Sequence, residues 1–385
     1  MISANISRRT KVLWLSESPL IASGFGRVSR EIASRLARVP GMEVACLGWG
    51  HDGWPYEASE FPVRIYPAPT GGYGKETFER VVSEFQPDVV ISLAEVWMTD
   101  WMHGHPCRGR FKWVGYIPLD SGPFYPPWIP MIQGLDGVVA MSEFGREVLR
   151  RAVPSKSIDF IPHGVDIETF RPLPDRAALK SHDRLHSKFV VGCVARNQPR
   201  KNIPALIKAF ASLISSNPNL HLYLHTSPCD VGHDLLSLLH RYGLEGHADI
   251  CPPEFSMDRG LSDEQLNRVY NFCDITVLPS MGEGFGLPII ESFAAGVPVV
   301  ATDYSACREL VSGRGELARV GAMITMGSNI MEYAVVDSDD LASCIDRLSK
   351  TPDAVRQYSA AARAFAVTLA WDRLLPRWVE VIQQV

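Results

Sequence analysis

Short apolar runs rich in β-branched residues alternate with stretches of helical period along most of the chain, and this alternation is the strongest constraint on its fold. Nine such runs predict strands, at residues 12–15, 44–47, 89–92, 113–117, 137–141, 189–194, 220–224, 275–279 and 297–301. Helical periods lie between several of them, at residues 27–38, 77–85, 203–215, 263–272 and 288–295. Such alternation is typical of parallel sheets covered by helices on both faces. We therefore expect an α/β fold built from doubly wound parallel sheets.

The chain is expected to form two domains, because 385 residues exceed what one hydrophobic core usually organises. The predicted strands also fall into two series. A proline-rich stretch at residues 162–174 separates the first five strands from the last four. We expect one domain at residues 1–170, a second at 171–363, and a final helix at 364–385 that crosses back to the first domain. Two Rossmann-like sheets would then face a cleft, and their ligands would bind at the carboxyl ends of the strands.

The composition indicates which kinds of partner the protein binds and which cellular compartment suits it. The hydrophobic fraction of 46%, the charged fraction of 21% and the net charge of −5 are typical of a globular protein without affinity for nucleic acid. Eight cysteines without a C-x-x-C pair argue against zinc or a disulfide framework and fit the cytoplasm. No apolar run reaches about 18 residues, and the polar start with Arg8 and Arg9 predicts no secretory signal.

Several arginines cluster on the first predicted helix. They are explained either as a solvated face or as a weak contact with an acceptor or with the inner face of a membrane. The residues are Arg27, Arg30, Arg35 and Arg38.

The loop after the strand at 275–279 carries the densest chemical signal. Its glycines at 282, 284 and 286 allow backbone amides to approach a ligand, and Pro288 suits the first helical turn. A helix start adds unpaired N–H groups that attract a diphosphate. Glu283 on the loop and Glu291 on the helix can accept hydrogen bonds from hydroxyls of the transferred sugar and of a ribose. A plain strand-to-helix turn with surface glutamates is the alternative.

A second loop, ARNQPRKN after the strand at 189–194, supplies cations. Arg196 and Lys201 flank its turn, with Arg200 as a competing basic residue. Cations at this position would stabilise the negative charge that grows on a leaving diphosphate. A solvated pair of loop cations is the alternative explanation.

The segment 274–302 resembles the E-x7-E signature of retaining GT-B glycosyltransferases of family 4, the glycosyl transferases group 1. The resemblance implies a GT-B fold and metal-independent transfer of a hexose, with retained configuration, from a nucleoside-diphosphate sugar to a glycan, lipid or small-molecule acceptor. It assigns the donor cradle to Glu283, Gly284, Phe285, Gly286, Leu287 and Glu291. The family's G-R-x-x-x-x-K-G element falls on Arg196 and Lys201, with Ala195 and Asn202 in place of the two glycines.

A glycine loop near the N-terminus adds a further candidate. Gly24-x-Gly26-x-x-Ser29 approaches a dinucleotide fingerprint, but Glu43 only loosely meets the acidic partner that an oxidoreductase requires. The resemblance instead implies that Gly24, Phe25 and Gly26 face the donor phosphates and the acceptor.

Asp120 follows the strand at 113–117, at a position where the family often has a His-Asp pair, but Leu119 replaces the histidine. Asp120 is therefore either a sugar or acceptor contact or the start of a turn. His163 is interpreted as linker architecture. His225-Thr226-Ser227 replace the family's usual G-x-G, which leaves the donor base open.

Aromatic loop residues of the first domain either stack on a sugar or pack beneath the loops; they are Trp49, Trp54, Trp97, Trp101 and Trp128. The acidic run at 337–340 predicts a helix N-cap rather than a metal site. A nucleotide-sugar epimerase and a non-catalytic nucleotide-binding protein remain the alternatives to transfer.

Overall fold

A computed structural model describes residues 9–59, 61–181, 185–252 and 260–385 of the chain. The N-terminal Arg8 lies outside these residues. The chain forms two compact units. Unit 1 comprises Met1–Leu119, Phe124–His163 and Trp371–Val385, and unit 2 comprises Asp120–Pro123 and Gly164–Ala370.

Unit 1 is built on a seven-stranded parallel sheet with the order β3-β2-β1-β4-β5-β6-β7. Its strands are β1 (Thr10–Glu17), β2 (Met42–Trp49), β3 (Arg64–Ala68), β4 (Val89–Leu93), β5 (Lys112–Ile117), β6 (Gly137–Ala140) and β7 (Asp159–Phe160). The strand order reverses between β1 and β4, which creates a topological switch point at the carboxyl edge of the sheet.

Helices lie in most of the connections between these parallel strands. They are α1 (Gly24–Leu36), α2 (Lys75–Phe85), α3 (Val96–Thr99), α4 (Ile129–Gly134) and α5 (Glu143–Ala152). α1 buries Val28, Ile32 and Leu36, whose four-residue spacing produces one apolar stripe. The indole N–H of Trp14 on β1 donates to the Ser29 hydroxyl at 3.0 Å, which ties the helix to the sheet.

Unit 2 contains a six-stranded parallel sheet with the order β10-β9-β8-β11-β12-β13. Its strands are β8 (Phe189–Val194), β9 (Leu220–His225), β10 (Ala248–Ile250), β11 (Ile275–Leu278), β12 (Val299–Thr302) and β13 (Gly315–Ala318). An antiparallel hairpin follows, formed by β14 (Val320–Thr325) and β15 (Glu332–Val336). The order again reverses between the first and fourth strands, so β8 and β11 flank a second switch point.

The helices of unit 2 cover this sheet and bury its β-branched residues. They are α6 (Arg176–Ser181), α7 (Ile203–Ile214), α8 (Leu235–Arg241), α9 (Asp263–Phe272), α10 (Leu287–Ala294), α11 (Ser305–Val311), α12 (Ser338–Lys350) and α13 (Pro352–Thr368). Phe210 of α7 and Ile345 of α12 are fully buried in one cluster with Val191 of β8. Within the described ranges, no helix is long and apolar enough to cross a membrane.

The last helix, α14 (Trp371–Gln384), belongs to unit 1. Its Trp378 ring packs edge-on against Trp14 and Tyr116, with centroid distances of 5.7 and 4.8 Å. The sequence predicted one continuous helix at 364–385, whereas α13 ends and α14 begins within this segment. The break occurs because Val165 donates its N–H to the Leu369 carbonyl at 3.0 Å and forms a bridge with Ala370.

The units divide at His163/Gly164 and Ala370/Trp371, compared with the expected 170/171 and 363/364. The residues between these positions are bound to unit 2. The Arg363 guanidinium donates to the carbonyls of Phe170 and Ile167 at 2.9 and 3.3 Å.

All nine predicted runs form strands. β3, β7, β10, β13 and the hairpin were not predicted, because most of them lack an uninterrupted apolar run.

Candidate functional site

Two loops at the switch point of unit 2 carry the charged residues that the sequence singled out. One loop follows β8 and contains Lys201, and the other follows β11 and contains Glu283. Because β8 and β11 are neighbouring parallel strands, their carboxyl ends place these loops side by side. Open α/β sheets bind their ligands at this position.

The loop after β11 passes directly into α10, as the sequence predicts. Gly286 is the residue before the helix and has φ of 107°, in the left-handed region that favours glycine. Leu287 and Pro288 form the first turn of α10, and the Phe285 side chain is buried. The strand-to-helix connection therefore depends on a glycine whose conformation other residues adopt only with strain.

Glu283 is buried between two cations. The Lys201 Nζ donates to Glu283 Oε1 at 2.5 Å, and an Arg200 guanidinium nitrogen lies 3.3 Å from Oε2. Burial disfavours the charged carboxylate, but Lys201 and Arg200 outweigh this effect and lower the pKa of Glu283 to about 2. Glu283 is therefore ionised near pH 7, where it can accept hydrogen bonds but cannot act as a general acid.

The main chain at Glu283 is fixed as well. Its N–H donates to the Ser305 hydroxyl at 2.9 Å, and Ser305 is buried at the start of α11. Ser305 has φ of 48°, a left-handed conformation that is costly for a residue with a side chain. Backbone strain of this kind is concentrated at functional sites.

The loop after β8 ends in a short 3₁₀ turn at Pro199–Lys201, followed by Asn202 and α7. Asn202 has φ of 50° and ψ of 36°. Asparagine tolerates this left-handed conformation better than most residues do. Asn202, which replaces the glycine that the resemblance predicts, can therefore still form the turn that presents Lys201.

Arg196 and Arg200 have different partners. The Arg196 guanidinium forms a two-point ion pair with Asp230, at 2.7 and 3.3 Å. Arg200 contacts Glu283, and its Nε lies 3.2 Å from Asp120 Oδ2. The structure thus brings Lys201 and the competing Arg200 to Glu283, whereas Arg196 is paired with Asp230 in the same unit.

Asp120 lies in a segment that is grouped with unit 2. A Cβ on Gly282 would lie 2.1 Å from the Asp120 carbonyl oxygen, so the two backbones touch and only glycine fits without a shift. The Gly122 carbonyl accepts the Glu332 N–H at 2.8 Å. Through its ion pair with Arg200, Asp120 joins Arg200, Lys201 and Glu283 in one charged cluster.

Glu291 is buried on α10, and its Oε2 accepts the Tyr270 hydroxyl at 2.7 Å. Sequence reasoning missed Tyr270, because an aromatic residue in a helical period predicts only core packing. It also missed Ser305, which no spacing or composition signal distinguishes.

The predicted glycine loop of unit 1 lies at the switch point between β1 and β4. Gly24, Phe25 and Gly26 form the first turn of α1, and the Ser23 hydroxyl accepts the Gly26 N–H at 2.9 Å. A Cβ on Gly26 would lie 2.3 Å from the Ile21 carbonyl oxygen. The loop's own close packing therefore requires glycine at position 26.

Aromatic residues surround the same edge of the unit 1 sheet. Tyr73 makes edge-on contacts with Trp49 at 5.7 Å and with Trp97 at 5.2 Å. Trp97 and Trp54 are the exposed tryptophans, at 44% and 42%. Trp14 and Trp113 are buried core residues.

Two further polar residues have structural partners. Burial lowers the pKa of His163 to about 3, and its Nδ1 lies 2.7 Å from the Tyr116 hydroxyl. Asp337 caps α12 by accepting the N–H groups of Asp339 and Asp340, as the sequence predicts. Among the residues that the structure describes, no group of three or more His, Cys, Asp or Glu side chains is arranged to hold a metal ion.

The comparisons with known proteins fall on the unit that contains the charged cluster. Residues 175–365, just under half of the chain, match the model of the family described as glycosyl transferases group 1. The chain is 26% identical to MMP α-(1→4)-mannosyltransferase of Mycolicibacterium hassiacum over 235 residues, 60% of this chain and 50% of that protein. It is 31% identical to D-inositol 3-phosphate glycosyltransferase of Mycobacterium leprae over 230 residues, 58% of this chain and 48% of that protein. The chain spans about half the length of these curated relatives.

Solved structures match nearly the whole chain. HepE of Anabaena, in complex with UDP and glucose, has a TM-score of 0.76 at 18% identity and covers 98% of this chain and 100% of that one. Sucrose-phosphate synthase of Thermosynechococcus elongatus has a TM-score of 0.77 at 18% identity, with coverage of 98% and 99%. These matches and the two parallel sheets confirm the predicted fold class, that of GT-B glycosyltransferases.

Proposed function

We propose that this protein, which carries a group 1 glycosyltransferase domain at residues 175–365, is a retaining hexosyltransferase of family 4. It would move a sugar from a nucleoside-diphosphate sugar to a hydroxyl of a glycan, lipid-linked or small-molecule acceptor. The relatives named as glycosyltransferases support transfer, and the neighbour solved with UDP and glucose supports a nucleotide-sugar donor.

The observation that carries the proposal is the buried carboxylate of Glu283, on the loop that precedes α10. Lys201, on the loop after β8, holds this carboxylate in its ionised form. A diphosphate leaving group gains negative charge as its bond to the sugar breaks. Lys201 and Arg196, from the loop after β8, would neutralise that charge. The N–H groups of residues 284–287 and the start of α10 add to the positive potential. Interactions that strengthen as the charge develops lower the barrier to reaction.

The two buried glutamates have separate roles in this proposal. Glu283 accepts a hydrogen bond from a hydroxyl of the transferred sugar, and Glu291, oriented by Tyr270, accepts one from the ribose. Asp120 contacts the sugar or the acceptor. Gly24, Phe25 and Gly26 stay predicted contacts of the donor phosphates.

Bond exchange on one face of the sugar accounts for retention. The bond between the anomeric carbon and the β-phosphate oxygen breaks, and the acceptor oxygen forms the new bond on the same face. The acceptor proton passes to the departing phosphate oxygen. Glu283 cannot supply a proton at neutral pH, because its pKa is about 2.

Positive charge from Lys201 and the start of α10 leads us to propose that the reaction needs no metal. Addition of EDTA should then leave the initial rate within about twofold of the untreated enzyme, since these groups supply the charge that a metal would otherwise supply. Loss of activity that Mg²⁺ or Mn²⁺ restores would contradict this part of the proposal.

The proposed function is tested by a ligand screen followed by product analysis. UDP, GDP and ADP are compared by thermal shift, and the sugars of the stabilising nucleotide are then incubated with the protein. Release of the nucleoside diphosphate with hydrolysis or transfer of the sugar supports the proposal. Epimerisation at the sugar's C2, or binding without turnover, would contradict it and identify the epimerase or the non-catalytic binding protein instead.

A further inference from the structure

Arg200 contacts Asp120, Glu283 and the Gly282 carbonyl in the charged cluster. Its Nε faces Asp120 Oδ2 at 3.2 Å, and one terminal nitrogen lies 3.3 Å from Glu283 Oε2. The same terminal nitrogen donates to the Gly282 carbonyl. The planar guanidinium presents several N–H groups at fixed angles and can bridge acceptors in a defined geometry, whereas a lysine ammonium is a compact charge whose donors have no fixed fork.

The charges of the cluster are balanced. Arg200 and Lys201 supply two positive charges, and Asp120 and Glu283 supply two negative charges. The side chains of Lys201 and Glu283 are 12% and 7% exposed, so each charge depends on its neighbours rather than on water. A diphosphate that recruits Lys201 would leave Glu283 with one cation fewer.

We propose that Arg200 is a positioning residue that holds the Glu283 carboxylate in place while Lys201 binds the donor diphosphate, and that binds the Asp120–Pro123 segment to the same loop. This inference rests on the proposed function. Lys201 and Arg200 bind different oxygens of Glu283, so one cation can move without releasing the other oxygen. Arg200 therefore keeps the acceptor oxygen of Glu283 at the sugar position during donor binding.

Contacts of the Asp120–Pro123 segment support the second part of the inference. The segment follows β5 of unit 1 in the chain but is grouped with unit 2. Its contacts there include the ion pair of Asp120 to Arg200, the close approach of the Asp120 carbonyl to Gly282, and the Glu332 N–H bond to Gly122. The Arg200 carbonyl also accepts the Met281 N–H at 2.8 Å. Side chain and main chain of Arg200 thus attach to the same loop.

A direct role in phosphate binding is the rival explanation, and kinetics distinguishes the two. A residue that binds the diphosphate contributes to the affinity for free nucleoside diphosphate. A positioning residue that acts through Glu283 contributes mainly to kcat. We compare Arg200→Gln and Arg200→Lys with the wild type, and use Arg347→Gln as a control. Arg347 pairs with Glu316 and its side chain is 52% exposed, outside the cluster.

Steady-state rates are measured with the nucleotide-sugar that the wild type turns over, and the dissociation constant is measured with the free nucleoside diphosphate. For Arg200→Gln we expect kcat to fall by about 10- to 100-fold, since small displacements of a catalytic group have effects of this size. The dissociation constant should stay within about threefold. Arg200→Lys should recover part of kcat, because the positive charge returns without the bridging geometry. Arg347→Gln should leave both quantities within about twofold.

Hydrogen exchange at the Glu332 amide provides a measurement that does not depend on activity. This amide donates to Gly122, so we expect its exchange in Arg200→Gln to be faster by about tenfold. The inference is overturned if Arg200→Gln weakens nucleotide binding as much as it lowers kcat, if kcat is unchanged, or if exchange at Glu332 is unchanged. A wild type that turns over no nucleotide-sugar would instead contradict the proposed function, and the exchange result would still test the attachment of the segment.

Discussion

The two switch points of this molecule have the same topology and different chemistry. In each unit the first strand of a parallel sheet is followed by a loop and a helix, beside the fourth strand. In unit 2 the loops at this point bring together Lys201, Arg200 and Glu283, and Asp120 from the segment after β5 joins them in one charged cluster. In unit 1 the glycine loop is closed by the Ser23 cap and by its own packing. Topology therefore determines where a ligand can bind, whereas buried charge indicates which edge is built for an ionic ligand.

Removing the lysine of the buried cluster should have the largest effect. Lys201→Met takes away the cation nearest Glu283 and the proposed contact to the diphosphate. We expect kcat/KM to fall by about 10³-fold, which corresponds to about 4 kcal/mol. The measurement is nucleoside diphosphate release under steady-state conditions.

Lys350→Met is the matched control, because Lys350 is 60% exposed and pairs with Asp346 on the surface of α12. Its rate should stay within about threefold of the wild type. Equal losses in both variants would mean that burial does not distinguish the cluster from a surface ion pair.

Acid should weaken unit 2 through Glu283. The pKa of this carboxyl is lowered from its ordinary 4.5 to about 2 in the folded protein, so its stabilising effect is fully present above pH 4.5. It is lost as the pH falls through about 2. Relative to Glu283→Gln, the wild type should lose about 3 kcal/mol of unfolding free energy over this interval. Urea denaturation of both proteins between pH 2 and 6 measures this loss. A stability difference between the wild type and Glu283→Gln that does not change with pH would contradict the lowered pKa of Glu283.

A close backbone contact in the charged cluster predicts a smaller effect on the unfolding free energy. Gly282→Ala places a methyl group against the Asp120 carbonyl, where the distance would be 2.1 Å. We expect a loss of about 2 kcal/mol in the unfolding free energy, because the backbone must shift. Gly104→Ala is the control, since a Cβ at Gly104 would meet nothing within 4 Å. It should change stability by less than about 0.5 kcal/mol. Equal stabilities of the two variants would show that the contact with Asp120 is not tight.

An exposed ion pair of unit 1 should have the smallest effect. Asp372 pairs with Arg35 at 2.7 Å, but its side chain is 84% exposed. Asp372→Asn should change the unfolding free energy by about 0.5 kcal/mol or less, because solvent screens the pair. A loss comparable to the roughly 3 kcal/mol expected for the buried charge of Glu283 would remove the contrast between buried and exposed charge.

Sequence reasoning located the sheets and the cluster's main residues, because parallel strands and glycine-bearing loops leave local patterns. Phe189–Val194 and Asp263–Phe272 have the bounds that were predicted. It assigned Arg196 to the site and named Arg200 only as a competing residue, since both lie on the same turn. Only the fold shows that Arg196 pairs with Asp230 and Arg200 with Glu283.

The contacts that complete the site connect residues far apart in the chain. Asp120 and Arg200 are eighty positions apart, and their pairing depends on a segment that follows a strand of unit 1 but is grouped with unit 2. Ser305 and Tyr270 likewise contact the two glutamates from other elements. Pattern and spacing carry no information about such pairs, because each residue satisfies an ordinary local role as a helix start or a core aromatic.

The central claim is that the buried Glu283 at the switch point of unit 2 acts on the donor sugar. Its most direct test is nucleoside diphosphate release by Glu283→Gln at pH 7, measured with the dissociation constant of the free nucleoside diphosphate. We predict that release falls by at least about 10²-fold, since the carboxylate acts on the sugar. The dissociation constant should stay within about threefold, because the diphosphate contacts remain. Release at the wild-type rate from a folded Glu283→Gln protein would contradict the account.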